Sequence, residues 1–243
     1  MADKSYIKYE NLRIPLKIKK EWRRTVRYSI SKKSINLTVP KFYTRDQILN
    51  EFEKIKSWSQ QQFRRSPDMV ERFVPRTYST GDSLYIYGEQ FDLIINYKNR
   101  KTCSAEIMDQ TVLINAPEDL DDHDRHKNIG AVLSRLFSKH FLPAITDRVK
   151  ALNELHFQEQ INRVSLKNNQ SNWGSCSSNR NINLSSRLLF APRDIIDYVI
   201  IHELAHLKEM NHSKRFWSIV EKAMPAYKTK DVWLTKNGYM LKF

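Results

Sequence analysis

Three histidines and a glutamate near the C-terminal end of the chain have types and spacing suited to metal-dependent hydrolysis. The stretch VIIHELAHLKEMNHSKRFW, residues 199–217, carries His202, Glu203, His206 and His212. Residues four apart on a helix project from the same side, so His202 and His206 can bind one zinc ion. Glu203 lies about 100° round the helix from His202. From there its carboxylate can reach a metal-bound water and act as general acid and base.

A catalytic zinc needs a third protein ligand and one open position. His212 supplies that ligand if the helix ends near Glu209 or Met210 and the chain turns back; Asn211 tolerates the left-handed backbone that such a turn often needs. The spacing H-E-x-x-H-x5-H is that of the metzincins, but Glu209 stands where they have glycine. Glu221 is the rival third ligand, because other zincins use a glutamate from a later helix. The sequence favours His212. Three imidazoles indicate Zn²⁺, and Mn, Co and Ni accept the same donors.

Composition is typical of a globular cytosolic protein. The 243 residues are 40% hydrophobic, enough for one large domain or two small ones with a buried core. The five glycines form neither GxGxxG nor GxxxxGK[ST], which excludes a Gly-rich phosphate loop. Two cysteines give no disulfide framework. No apolar run approaches the roughly 18 residues of a membrane span. The first residues, MADKSYIKYE, contain no signal core, so we expect a cytoplasmic protein with no membrane partner.

The positive charge of the chain is concentrated near its N-terminal end. The formal net charge is +14, and residues 1–65 hold seventeen Lys or Arg against six Asp or Glu, a local net charge of +11. Such asymmetry indicates an anionic partner, either nucleic acid or an acidic substrate, although a solvated basic face has the same composition. No aromatic–basic motif makes the nucleic-acid interpretation specific.

Periodicity and helix caps predict the elements that position the site. Period-two patterns indicate three strands in the first forty residues, and Thr44 with Gln47 forms a capping box that opens a long helix. More strands follow, then a helical pattern with a break or kink at Pro143, and no internal repeat is visible. We therefore predict an α+β protein with a β-rich basic domain over residues 1–118 and a metallohydrolase domain over residues 119–243.

The segment NWGSCSSNRNINLSSRLLFAPRDIIDYVIIHELAHLKEMNHSKRFW resembles the YgjP-like family of zinc-dependent metallohydrolases, zincin relatives of the SprT-type proteases. The matching motifs are W-G-S-C-S, a strand that ends in a hydrophobic residue and Ala-Pro, H-E-L-x-H, and N-H-S-x-x-F-W, all within residues 163–220. The resemblance implies His202, His206 and His212 as ligands and Glu203 as the catalytic acid and base. It also implies a zincin-like C-terminal half with a long backing helix, a small sheet and the active-site helix.

The W-G-S-C motif supplies candidates for the walls of the cleft: Trp173, Gly174, Ser175 and Cys176. Two interpretations of Cys176 are open. It is either a packed residue among the small residues of a strand or a fourth metal ligand. The strand pattern NINLSSRLL, residues 181–189, is a candidate for binding substrate by β-augmentation.

Two hypotheses for the function share this site and differ in substrate. The first is a zinc metallopeptidase, with the basic segment 1–65 docking a partner such as nucleic acid that carries the protein substrate. The second is a metal-dependent hydrolase of an anionic small molecule such as a nucleoside triphosphate, which the same charge would attract. A structural metal site is disfavoured, because it needs no general base such as Glu203.

Overall fold

A computed structural model describes residues 6–31 and 33–243 of the chain, which fold into two compact units divided between Val74 and Pro75. The described residues form helices and three separate sheets, which confirms the predicted α+β class. Among them, none of the helices combines the length and the apolar character that crossing a bilayer requires.

The N-terminal unit is a four-stranded sheet with a helix on one face. Its elements are β1 (Tyr6–Tyr9), β2 (Leu12–Glu21), β3 (Arg27–Ile30), β4 (Ile35–Pro40), α1 (Arg45–Arg65) and the short α2 (Asp68–Glu71). The strand order is β1-β2-β4-β3, with β2 and β4 parallel and both outer pairs antiparallel. Ile14, Ile35 and Phe63 are fully buried in the core that the sheet forms with α1.

Helix α1 begins at the capping box predicted from the sequence. The Thr44 hydroxyl accepts a hydrogen bond from the Gln47 N–H at 3.3 Å, and the Gln47 side-chain oxygen accepts one from the Thr44 N–H at 2.9 Å. Two N–H groups that lack intrahelical partners are thereby satisfied.

The C-terminal unit begins with a second four-stranded sheet and the longest helix. These elements are β5 (Ser83–Ile86), β6 (Glu89–Lys98), β7 (Ser104–Met108), β8 (Thr111–Pro117) and α3 (Asp122–His156). Helix α3 continues through Pro143, so of the predicted break or kink the break does not occur. Phe141 and Ile145 on either side are buried in the core. Because the strands share this core with α3, the unit boundary follows Val74, whereas the sequence placed it after residue 118.

The two four-stranded sheets repeat one another, although the sequence shows no repeat. Both have the same strand order and a parallel central pair. Leu16 pairs with Ile35 in the first sheet and Leu93 pairs with Val112 in the second, and each pair is nineteen residues apart. Adding 77 to each residue number of the first sheet reproduces the register of the second, including both antiparallel pairs.

The same shift relates the turns and helix caps of the two copies. Glu10 and Tyr87 both have positive φ, 50° and 52°, in the turn between the first two strands. Thr44 and Asp121 both cap the helix that follows the sheet. The sequence conceals the repeat because the buried positions keep only their apolar character, and a sheet core accepts many apolar combinations.

The remaining elements carry the candidate site. They are β9 (Arg163–Lys167), β10 (Gly174–Cys176), β11 (Asn181–Ser185), a 3-10 helix (Ser186–Phe190), α4 (Arg193–Ala205), α5 (Lys214–Ala223) and α6 (Tyr227–Asn237). Strand β11 lies between β10 and β9. The prediction that residues 181–189 bind substrate by β-augmentation is therefore wrong for β11, because β11 already pairs with a strand on each side. Within the described chain, β10 has the unpaired edge on that side of the sheet.

Candidate active site

Helix α4 carries two of the predicted ligands in a largely apolar setting. Ile200 and Leu204 are fully buried, His202 is partly buried and His206 is 9% exposed. His206 is the C-cap of the helix and keeps helical backbone angles, φ −66° and ψ −18°. The ring centroids of His202 and His206 are 5.1 Å apart, so the helical spacing brings the rings together as the sequence predicts.

The turn after α4 returns His212 to this pair without a left-handed residue. The helix ends at Ala205, earlier than the predicted end near Glu209, and the Glu209 N–H donates to the Ala205 carbonyl at 3.0 Å. Neither Glu209 nor Asn211 has positive φ, so the turn forms without the left-handed backbone that Asn211 would tolerate. The Glu209 carbonyl lies 3.1 Å from His206 Nδ1, which must donate to it. This hydrogen bond leaves Nε2 of His206 free for a ligand.

The three histidines converge on one point. One nitrogen from each ring lies within 4.8 Å of the others, and Nε2 of His202 is 3.0 Å from Nε2 of His212. Nitrogen ligands at about 2.0–2.1 Å from a tetrahedral zinc are about 3.3 Å apart, so this donor set fits one metal ion. Burial and the neighbouring imidazoles lower the pKa of His202 to about 4, and burial also lowers the pKa of His206. Neutral imidazoles have the lone pairs that metal binding requires.

Phe216 on α5 forms the floor beneath the histidines. It is fully buried, and its ring centroid lies 4.9, 4.5 and 4.8 Å from those of His202, His206 and His212. Ser213 caps α5 by accepting the Phe216 N–H at 3.3 Å. The helix cap therefore fixes the ring that packs against all three imidazoles.

Glu203 points from α4 towards β10 and is 5% exposed. Burial raises the pKa of Glu203 to about 8, although its carboxylate accepts the backbone N–H of Cys176. A Cβ added at Gly174 would lie 2.6 Å from Oε1 and 2.8 Å from Cδ of Glu203. The glycine of the W-G-S-C motif therefore leaves the space that the Glu203 side chain occupies.

The other residues of the W-G-S-C motif have different surroundings. Burial and the nearby Glu203 raise the pKa of the Cys176 thiol to about 11, so it is protonated at neutral pH. Among the described residues, the donor group that suits a metal consists of the three histidines and leaves Cys176 out. The Trp173 ring packs under the Arg187 guanidinium at 4.3 Å, and Ser175 is exposed on β10.

The rival ligand Glu221 lies outside the histidine cluster, whereas Tyr198, which the sequence analysis did not single out, lies beside it. Glu221 is exposed on α5, 3.8 Å from the ammonium of Lys228. Tyr198 lies one turn before His202, its ring 6.1 Å away, and its hydroxyl donates to Asp231 on α6 at 3.1 Å. Tyr198 could have been found from the sequence, because residues four apart, such as Tyr198 and His202, lie on the same face of a helix.

A family model described as the YgjP-like metallopeptidase domain matches residues 24–237. The chain belongs to the YgjP-like metallopeptidase family. Family membership supports a metal-dependent peptidase, and hence a hydrolase that uses a divalent metal. The site described above is thus found in a YgjP-like metallopeptidase domain, and the match also includes most of the N-terminal unit.

Two solved structures resemble part of this YgjP-like chain. The metallopeptidase zymogen abylysin of Pyrococcus abyssi is 28% identical, with a TM-score of 0.35, over 38% of this chain and 93% of its own. The metallopeptidase zymogen jannalysin of Methanocaldococcus jannaschii is 22% identical, with a TM-score of 0.31, over 36% of this chain and 93% of its own. No curated protein matches the chain.

Replacing Gly174 by alanine is expected to displace the Glu203 carboxylate, because the new Cβ would overlap it. We expect kcat/KM for a protein substrate to fall roughly 100-fold, the loss typical of a misplaced catalytic group. The metal content per chain should stay at the wild-type value. The matched control is Ser175→Ala on the same strand, whose exposed side chain should be dispensable. Wild-type activity in Gly174→Ala would contradict this account of the glycine.

Proposed function

We propose that the chain is a zinc-dependent peptidase in which His202, His206 and His212 hold the metal and Glu203 is the general acid and base. The observation that carries the proposal is the convergence of three imidazole nitrogens within 4.8 Å of one another. The residue that follows His202, Glu203, adds a buried carboxyl group. Three protein nitrogens leave one position open for water or substrate, as catalytic zinc requires. Mn, Co and Ni accept the same donor set.

Glu203 supplies the proton transfers of the reaction. A bound metal supplies a Lewis acid that lowers the pKa of water and polarises a carbonyl group. With a pKa of about 8, the Glu203 carboxyl holds a proton more tightly than an exposed glutamate does. A nearby metal cation would favour the ionised carboxylate, whose oxygens can accept the proton of an attacking water and pass it to the nitrogen of the leaving amine. The hydrogen bond from the Cys176 N–H orients the carboxylate for both transfers.

The unpaired edge of β10 is the proposed binding site for the main chain of the substrate. The Trp173 carbonyl and the Ser177 N–H both bond to the β11 side. Backbone groups alternate in direction along an antiparallel pair, so those of Gly174 and Cys176 point away from β11. The Gly174 carbonyl accepts from Asn172 Nδ2 at 2.9 Å and the Cys176 N–H donates to Glu203, so a peptide would bond to the Gly174 N–H and the Cys176 carbonyl. A peptide that adds here as a strand would lie beside Glu203, because the Cys176 N–H already reaches that carboxylate.

The description of the matched family model, a metallopeptidase domain, favours a peptide over a nucleoside triphosphate as the substrate. The excess cations of residues 1–65 belong to the N-terminal unit, whereas the histidines belong to the C-terminal unit.

Glu203→Gln is expected to keep the metal and to lose hydrolysis, because the amide retains the shape of the side chain but cannot accept the proton. Loss of a general base lowers the rate roughly 100- to 10,000-fold. The assay uses two substrates, an unstructured protein such as casein and a nucleoside triphosphate. Turnover retained by the variant would refute the role of Glu203. Wild-type turnover of the triphosphate alone would refute the peptidase.

The metal content of two single variants tests the ligand set. We expect His212→Ala to lose most of its zinc after dialysis, because it removes one of three nitrogens. Glu221→Ala is the matched control and should keep one zinc per chain, since this exposed carboxylate lies beside Lys228. Atomic emission on the purified variants measures both. Loss of zinc from Glu221→Ala alone would make the third ligand wrong.

A further inference from the structure

The sheet of the N-terminal unit has one face on α1 and one face that α1 leaves exposed. Ile14 and Leu16 of β2 are buried in the core with α1, so the alternate residues of the strand project from the other face. The strand register brings cationic residues from three strands together there. We name this surface the basic face and define it by its five exposed cations, Lys8, Arg13, Lys17, Lys19 and Arg27.

Small polar side chains of the central strand separate these cations. Lys19 on β2, Thr38 on β4 and Arg27 on β3 form one row across the sheet. Neighbouring strands are 4.7–4.9 Å apart, so Lys19 and Arg27 flank a strip roughly 10 Å wide. Glu21 is the single acid on this face among the described strand residues, and it pairs with Lys19 at 2.7 Å. The result is a shallow strip with positive edges.

The second sheet shows that this fold does not need the cations. The shift of 77 residues relates the five cations of the basic face to Tyr85, Gln90, Ile94, Asn96 and Ser104. None of these five side chains is charged, and the same face of the second sheet carries Asp92, Glu106 and Lys98. The same strand order and register thus form with a nearly neutral face. The basic face is therefore not a requirement of folding.

Exposed aromatic side chains lie at the end of the same sheet. The parallel strands β2 and β4 end side by side, where the Lys41 N–H donates to the Glu21 carbonyl at 2.8 Å. Trp22 directly follows β2 and is 83% exposed, and Phe42 lies two residues beyond β4 and is 67% exposed. The Lys41 ammonium lies 4.5 Å from the centre of the Trp22 ring. Large exposed rings beside cations offer stacking surfaces to an anionic ligand that has aromatic groups of its own.

We propose that the basic face, with Trp22 and Phe42, binds single-stranded nucleic acid. The cations neutralise phosphates, and the two rings stack on unpaired bases. A duplex keeps its bases stacked on one another, so it would use the cations and leave the two rings without a partner. The exposed rings therefore favour the single strand. The inference concerns binding by the N-terminal unit and is independent of the proposed peptidase activity.

Fluorescence anisotropy with a labelled 20-nucleotide oligothymidine and the full chain tests the proposal. We expect tighter binding to this strand than to a 20-base-pair duplex. The variant Arg13→Gln/Lys19→Asn/Arg27→Ser takes the residues of the second sheet, which the same register accepts. It should bind at least about tenfold more weakly, with a slope of log K against log salt lowered by about 0.7 for each lost phosphate contact. Trp22→Ala should weaken binding roughly 5- to 150-fold at an unchanged slope, the loss of one stacked base.

A charge-relocated variant is the matched control. It combines the three substitutions with Gln90→Arg, Asn96→Lys and Ser104→Arg. The formal net charge of the whole chain returns to +14, but the three cations now lie on the second sheet. We expect its binding to stay weak, and thermal melting monitors the folding of every variant. Wild-type affinity in this variant would show that net charge alone binds the strand and would overturn the proposal. Absence of binding by the wild type, or equal affinity for the duplex or for anionic vesicles, would also overturn it.

Discussion

Three imidazole nitrogens within 4.8 Å of one another must remain uncharged and point to one place, and the surrounding elements meet that requirement. Burial keeps the pKa of His202 at about 4, so this ring does not repel its neighbours as a cation. The Glu209 carbonyl fixes the His206 ring, and Phe216 packs against all three rings. A shared metal ion would give the three ring nitrogens one common partner in this partly buried setting.

The parts of the site that the sequence predicts depend on local spacing. Four residues make one helical turn, so His202 and His206 come together wherever α4 forms. The end of α4 at Ala205 and the space at Gly174 depend on contacts between segments distant in sequence. Spacing carries no information on such contacts, which is why the end of α4 and the substrate strand were predicted wrongly.

The N-terminal unit shows the same limit at the level of the fold. The sequence shows an excess of cations in residues 1–65, but their positions 8, 13, 17, 19 and 27 form no motif. Only the strand register shows that they share one face, and only the second sheet shows that the fold is possible without them. Repeated architecture thus separates what folding requires from what this copy adds. The predicted domain boundary differs from the observed one for a related reason. It was placed at a change in composition, whereas the second sheet belongs with α3 because the two share one core.

X-ray absorption at the zinc edge of the zinc-loaded protein tests the central claim most directly, because it reports the ligands of the metal without assuming a substrate. The account predicts three imidazole nitrogens and one oxygen at about 2.0–2.1 Å, with outer-shell scattering from three histidine rings. A sulfur scatterer at about 2.3 Å would make Cys176 a ligand and contradict the account. Scattering from two imidazoles with a protein carboxylate in the third position would contradict it equally, because His212 would then not bind the metal.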